Sequence, residues 1–363
     1  MKIAQVSPLW ESVPPKLYGG TERIVSYLTE ELVRLGHDVT LFASGDSATA
    51  ATLKAVTPAA LRLNTGIFNR DAPMTYQLEQ AFGAGSTEFD IIHSHLDFIG
   101  FPVARRCATP VITTMHGRLD LPELVPVFRE YSEMPLVSIS NSQRRPLPWS
   151  TWQATVYHGL PTNLYTFHPM PGQYLAFLGR ISPEKRPDHA IEIAKRVGMP
   201  LRIAAKVDPA DRNYFEAEIE PLMSHPLVEY VGEITDDEKD DFLGDAYAML
   251  APYDWPEPFG LVLIEALACG TPVLAYRRGS IPEIINDGVT GFVCDDFNDM
   301  VAAVDRIGTL QRSHCREAFD ARFSAERMAQ DYVNVYRRLL GEEPDQVSRD
   351  NGWADSQILL DRW

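Results

Sequence analysis

Short apolar runs recur along the chain and alternate with stretches whose apolar residues fall three and four apart. The runs at 3–6, 39–43, 89–95, 110–114, 136–140 and 155–158 predict strands. Between the first two, Ile24, Val25, Leu28, Leu32 and Leu35 predict a helix that begins at Thr21 and is closed by Gly36. Strand, loop and helix in that order open a wound α/β sheet, whose ligands sit beyond the strands' C-terminal ends. The stretch 159–172 is rich in proline and glycine, lacks periodicity and predicts an interdomain linker. The pattern then restarts, with strands at 174–178, 201–205, 228–231 and 246–251 and a helix over Pro187–Val197 that carries proline in its first turn. Residues 44–73 are polar and carry no pattern that places an element. A long amphipathic helix is predicted over 321–340 from Phe323, Met328, Tyr332, Val335, Tyr336 and Leu339.

The most informative stretch is W-P-E-P-F-G-L-V-L-I-E-A-L-A-C-G-T-P-V-L-A-Y, residues 255–276. Leu261–Cys269 reads as an almost wholly apolar helix, stopped by Gly270 and followed by a strand over Val273–Tyr276. Its one charge is Glu265, and a carboxylate so placed costs several kcal/mol unless donors meet it. The N–H groups of Gly260, Leu261 and Val262 open the helix and suit an anion such as a diphosphate. Glu265 lies about 7 Å further along the axis, near the distance from a nucleotide's phosphates to its ribose diol. Glu257 stands before Pro258 and Gly260, on the far side, where the sugar of a nucleotide-sugar would lie. The spacing fits equally a Glu265 that reaches solvent from a helix end and a Glu257 that is an ordinary loop acid.

At 363 residues the chain exceeds the size at which one core stops growing, so two domains are expected. Thirty-three basic against fifty acidic side chains leave a net charge of −17, which argues against nucleic acid as a partner and limits membrane contact to a peripheral one. The four cysteines are scattered without a C-x-x-C pair, the N-terminus lacks a signal-peptide core, and no apolar run approaches a membrane span. A soluble, cytoplasmic protein with free thiols is expected.

The paired glutamates in E-P-F-G-L-V-L-I-E-A-L-A-C-G-T-P-V resemble the signature of the retaining family-4 glycosyltransferases. G-G-T-E-R near the start, L-G-R-I-S-P-E-K-R-P-D in the middle and a closing F-S-A-E-R…Y-R-R-L-L extend the resemblance to about residue 340. It implies the GT-B fold, an α/β architecture of two facing Rossmann-like domains with an interdomain cleft and a C-terminal crossover helix. On this chain the N-terminal, acceptor-side domain is then 1–160 and the donor-side domain 173–320. Residues 321–340 form the crossover helix and 341–363 a tail of open role, with Trp353, residues 358–360 and Trp363 as possible anchors.

The resemblance further implies transfer of a sugar from a UDP-, GDP- or ADP-sugar to a carbohydrate or small-molecule acceptor, with retention by front-face attack and without cofactor or metal. Arg180 and Lys185, in the first strand-to-helix loop of the second domain, match the family's donor-phosphate pair, and a guanidinium and an ammonium suit that task. His116, in T-T-M-H-G, matches a histidine near the donor sugar. Gly232-Glu233-Ile234 resembles the segment that meets the base. The catalytic set is thus Glu257, His116, Arg180 and Lys185, and the donor-binding set adds Gly19, Gly20, Ile234, Phe259, Gly260, Leu261, Val262 and Glu265.

Other residue patterns carry weaker chemistry. His93 and His95 share one strand face, but no third zinc ligand is evident. The run of acids at Asp236, Asp237, Asp240 and Asp241 reads as a solvated helix start. Arg144 and Arg145 with Trp149 and Trp152 read as a solvated turn with packed tryptophans or as an interfacial patch. Glu257 and Glu265 as a hydrolase pair would need about 5–9.5 Å between carboxyls, where eight helical residues span about 12 Å. A hydrolase also has no use for Arg180 and Lys185. A GT-B epimerase or phosphorylase, or a non-catalytic sugar-binding protein, are the remaining alternatives.

Overall fold

The computed structural model describes residues 1–342, apart from 17, 18, 63, 65 and 84–87. Strands β1 (Lys2–Val6), β2 (Asp38–Ser44), β3 (Thr52–Thr57), β4 (Ile91–Ser94), β5 (Val111–Thr114), β6 (Leu136–Ser138) and β7 (Trp152–Thr155) form a seven-stranded sheet in the order β3-β2-β1-β4-β5-β6-β7. Strands β8 (Leu175–Arg180), β9 (Leu201–Lys206), β10 (Val228–Gly232), β11 (Ala248–Ala251), β12 (Val273–Tyr276) and β13 (Gly291–Cys294) form a second sheet in the order β10-β9-β8-β11-β12-β13. The pairings are parallel throughout. Parallel sheets are covered on both faces, which is why these strands read as continuous apolar runs. Every residue of β4, β5, β6, β11, β12 and β13 is buried.

The strand order reverses once in each sheet, between β1 and β4 and between β8 and β11. Ligands of wound sheets sit at such reversals, beyond the strands' C-terminal ends. Here both reversals open on one cleft, bordered by Gly19 and Gly20 from the first half and by Arg180 and Glu257 from the second. The architecture is the pair of facing Rossmann-like domains that the resemblance implies.

Three expectations change. The unplaced stretch 44–73 contains β3, an edge strand whose residues are mostly half-exposed, so no apolar run marks it. The last strand of the first sheet is Trp152–Thr155 rather than 155–158, because Val156 is buried just past the strand, where its N–H still bonds Ser138 O at 2.9 Å. The single closing helix is two helices, Arg312–Arg322 and Ala325–Leu339, with Ser324 as an extended N-cap whose Oγ accepts from Arg327 N at 3.2 Å. Phe323, at the break, belongs to the core of the second sheet, whereas Met328, Tyr332 and Tyr336 pack with Ile3, Ile24 and Leu28 in the core of the first.

The chain crosses between domains twice, and the two crossings are paired. Leu160 N bonds Phe323 O at 2.9 Å and Ala325 N bonds Leu160 O at 2.8 Å. Trp353, residues 358–360 and Trp363 lie outside the described residues. Among the described residues no helix is long and apolar enough to cross a membrane.

Candidate active site

The cleft has a volume of about 390 Å³ and is built around the helix Leu261–Cys269. Residues 263–269 of that helix are all buried, as its composition predicts. Gly260 enters it at φ 89°, and a Cβ there would stand 2.9 Å from Leu263 Cδ1, so both backbone and space demand glycine. Leu263 N reaches Gly260 O at 3.0 Å. No described group takes the N–H of Leu261 or Val262, which leaves two donors at the positive end of the helix dipole, on the cleft wall. The loop before the helix is held from behind. Ser280 N bonds Glu257 O at 3.0 Å, Ser280 Oγ bonds Phe259 O at 2.7 Å, and Gly279, at φ 54°, leaves no room for a Cβ beside Glu257 N.

Glu265 is 2% exposed. One of its oxygens, Oε1, meets Lys239 Nζ at 3.1 Å, while Oε2 is buried with no hydrogen-bond partner. Lys239 also meets Asp236 at 3.1 Å, and Asp236 pairs with Arg23 of the facing domain. Burial works against the Lys239 ammonium, but the Glu265 and Asp236 carboxylates outweigh it and hold its pKa above the usual lysine value. The acidic run at 236–241 is therefore not merely a solvated helix start. Thr235 and Glu238 form a capping box on the helix Asp236–Gly244, and that helix aims Lys239 and Asp236 into the cleft.

The glutamate before the helix stands at the end of the cleft where Lys185 lies: Glu257 Oε2 pairs with Lys185 Nζ and accepts from Trp255 Nε1 at 2.9 Å. The two meet because the turn Pro183–Lys185 and the 255–258 loop converge over Tyr253, whose ring centre lies 3.9 Å from the ammonium. Arg180 reaches Glu184 at 2.5 Å and Asp211 at 3.2 Å.

The facing wall is a chain of histidines. His116 Nε2 lies 2.8 Å from His95 Nδ1, and His95 Nε2 lies 2.8 Å from Gln5 Oε1. Because the amide oxygen only accepts, His95 carries its proton on Nε2, His116 donates through Nε2, and the His116 Nδ1 lone pair is left as an acceptor. His116 stacks on His158 with ring centres 5.3 Å apart, and His158 packs edge-on to Phe259 at 4.9 Å. Burial pushes the His116 pKa down to about 3 and holds His93, His95 and His158 well below the usual range, so all four are neutral. His93 is taken up by Tyr336 and Thr114, each at 2.7 Å. Among the described residues no group of three or more His, Cys, Asp or Glu converges as metal ligands. Trp149 lies under Arg129, and Trp152 Nε1 bonds Leu147 O at 2.9 Å, both away from the cleft.

Gly19, Gly20, His116, Arg180, Lys185, Ile234, Glu257, Phe259, Gly260, Leu261, Val262 and Glu265 all line this one cleft. Sequence reasoning missed Arg23, Asp236, Lys239, Trp255 and His158. The signals were present: Arg23 ends G-G-T-E-R, and Lys239 is the one cation within D-D-E-K-D-D. A second cavity of about 360 Å³ opens on the N-terminal side and shares Gly19, Gly20 and Thr21 with the first.

Residues 166–320 match the family model for glycosyl transferases group 1, and residues 18–158 match that for Glycosyltransferase Family 4. The chain is 25% identical over 393 residues to the D-inositol 3-phosphate glycosyltransferase of Mycobacterium leprae (strain Br4923), covering 89% of each. It is 24% identical over 398 residues to an uncharacterized glycosyltransferase of Methanocaldococcus jannaschii, covering 93% of this chain and 98% of that one. Sucrose-phosphate synthase from Thermosynechococcus elongatus superposes with a TM-score of 0.74 at 20% identity, over 94% of this chain and 99% of the other. Anabaena Alr3699/HepE in complex with UDP superposes with a TM-score of 0.70 at 17% identity, over 93% and 100%. The fold is GT-B.

Proposed function

The chain belongs to the group 1, family 4 glycosyltransferases and is a sugar-transferring enzyme, and we propose that it takes the sugar from a nucleoside diphosphate donor with retention of configuration. The observation that carries the donor reading is Glu265 Oε2, buried and unpartnered on the cleft wall, one turn inside a helix whose first N–H groups are unclaimed. A ribose diol donates two hydrogen bonds to such a carboxylate while the diphosphate lies at the helix N-terminus. Arg180 and Lys185 offset the negative charge that develops on the leaving phosphate, the largest electrostatic demand of the reaction. Arg180, Lys185 and the helix end supply this charge without a divalent ion.

Glu257 holds hydroxyls of the transferred sugar. Its pairing with Lys185 supports a reading in which sugar and phosphate contacts lie side by side, at the bond that breaks. His116 steadies the sugar from the facing domain, its Nδ1 accepting from a hydroxyl. The acceptor hydroxyl attacks the face that the phosphate leaves, and the leaving phosphate oxygen takes its proton, so that C–O bond formation, C–O cleavage and proton transfer balance without an enzymic nucleophile. Related folds crystallised with UDP and with ADP make these the first nucleotides to test. In calorimetry, Glu265→Ala is expected to weaken binding of the matching diphosphate by about 1.5–3 kcal/mol, the worth of hydrogen bonds to a charged group. Unchanged affinity in that variant would remove the ribose role.

A further inference from the structure

The second cavity lies beside the donor cleft, and the two share Gly19, Gly20 and Thr21 at the start of the helix Gly20–Arg34. Its charged wall residues, among those described, are Glu22, Asp97 and Arg62. Arg62 is bound at 2.7 Å by Glu11, which is 7% exposed, so carboxyls outnumber cations at this wall. Glu22 is buried and accepts from Glu11 N at 3.2 Å. Asp97 accepts from the His116 backbone N–H at 3.2 Å through Oδ1, which ties this wall to the catalytic loop. His95, the remaining titratable group, is neutral and already bonded to Gln5 and His116. The lining also carries apolar side chains, Met74, Leu78, Ile99 and Trp10, of which Trp10 and Ile99 are exposed.

Resting on the transferase reading, we propose that this cavity receives the acceptor and selects a hydroxyl-bearing molecule with an apolar face and no negative charge, a neutral glycoside rather than a sugar phosphate. The carboxyls of Asp97 and Glu22 accept hydrogen bonds from hydroxyls, and the indole and aliphatic wall covers the C–H face of a pyranose or an apolar aglycone. Among the lining residues a phosphate group would meet two carboxyls against one arginine, Arg62, which a third carboxyl, Glu11, holds; Arg70, whose guanidinium stands 5.7 Å from the Trp10 ring centre, is not a lining residue. Asp97 also sets the direction of approach, since a hydroxyl bonded to it sits next to the His116 loop that faces the donor.

The test is saturation-transfer NMR on the full chain held in excess UDP, which keeps phosphates out of the donor site, with phenyl β-glucoside, methyl β-glucoside and glucose 6-phosphate as probes. The glycosides are expected to bind at least tenfold tighter than the sugar phosphate, and Trp10→Ala to abolish the preference for phenyl over methyl. Asp97→Asn, which keeps a residue suited to the φ of 49° at that position, is expected to narrow the gap between glycoside and phosphate at least threefold. Should Asp97→Asn fold poorly, Glu22→Gln reads the same charge effect. Glucose 6-phosphate binding as tightly as the glycosides, a gap unmoved by both charge variants, or no glycoside binding to the UDP-loaded protein would each overturn the proposal. Calorimetric titration of UDP, ADP and GDP separates the two readings, the tightest of them replacing UDP in the probe experiment: if none binds, the donor assignment fails, whereas nucleotide binding with a preference for phosphate defeats only the acceptor class.

Discussion

Glu257 and Lys185 form a contact that serves two purposes at once. The ammonium is fixed between a carboxylate and the faces of Tyr253 and Trp255, with ring centres at 3.9 and 5.4 Å. On the proposed donor reading, an anion at the helix N-terminus would compete for that ammonium and free Glu257 for sugar hydroxyls. Glu257→Ala is therefore expected to lower kcat by about a hundredfold or more, the scale seen when a charge-stabilising group is lost, while nucleoside diphosphate affinity holds or rises slightly. Steady-state kinetics beside calorimetry on one preparation checks this, and equal losses in both would contradict a sugar-facing Glu257. Arg180→Ala with Lys185→Ala makes the complementary case: diphosphate affinity should fall by about 3 kcal/mol or more, two charged hydrogen-bonding groups being removed. A double variant that bound UDP normally would place the phosphate elsewhere.

At the scale of elements, the helices Leu261–Cys269 and Asp236–Gly244 stabilise each other through Glu265 and Lys239. Lys239→Met takes from Glu265 its ion-pair partner, and breaking a buried pair from one side costs about 3–5 kcal/mol. Urea unfolding should show this loss, and adding Glu265→Leu to Lys239→Met should recover most of it. A single variant as stable as the parent would mean that the pair contributes nothing to the fold. These elements also show what the sequence allowed one to read. Leu261–Cys269, Val273–Tyr276 and Pro187–Val197 appear at their predicted positions because glycine or proline marks their ends and apolar density marks their interiors. Twelve cleft residues were legible from motif and chemistry. Lys239 was not, because a lysine among acids looks solvated until the fold brings a partner twenty-six residues away. The break at Phe323 was hidden by apolar spacing that runs straight through it, although Ser324 followed by Glu326 is a helix-start signal. β3 was hidden because an edge strand needs no apolar face strong enough to see.

The whole molecule carries a pH response set by its histidine wall. His93, His95, His116 and His158 are held neutral by burial, with His116 down to about 3, and all regain an ordinary value near 6.5 on unfolding. Below about pH 6.5 the unfolded chain thus binds more protons than the folded one. Stability falls with pH by about 1.4 kcal/mol per unit for each such histidine. Asp97, raised by burial to about 6, acts in reverse as it gains its proton in the folded state first, and trims part of the slope. Urea midpoints at pH 7.5, 6.5 and 5.5 should decline in that order, and His158→Phe should make the decline shallower. Midpoints that do not move would mean that the histidines titrate freely. The same whole-molecule view gives weight to the doubled crossing at Leu160 and Phe323–Ala325. Two backbone passages bonded to each other tie the halves at one place, so any change in the gap between them is expected to pivot there, and a molecule bridging that gap would be squeezed from its open side.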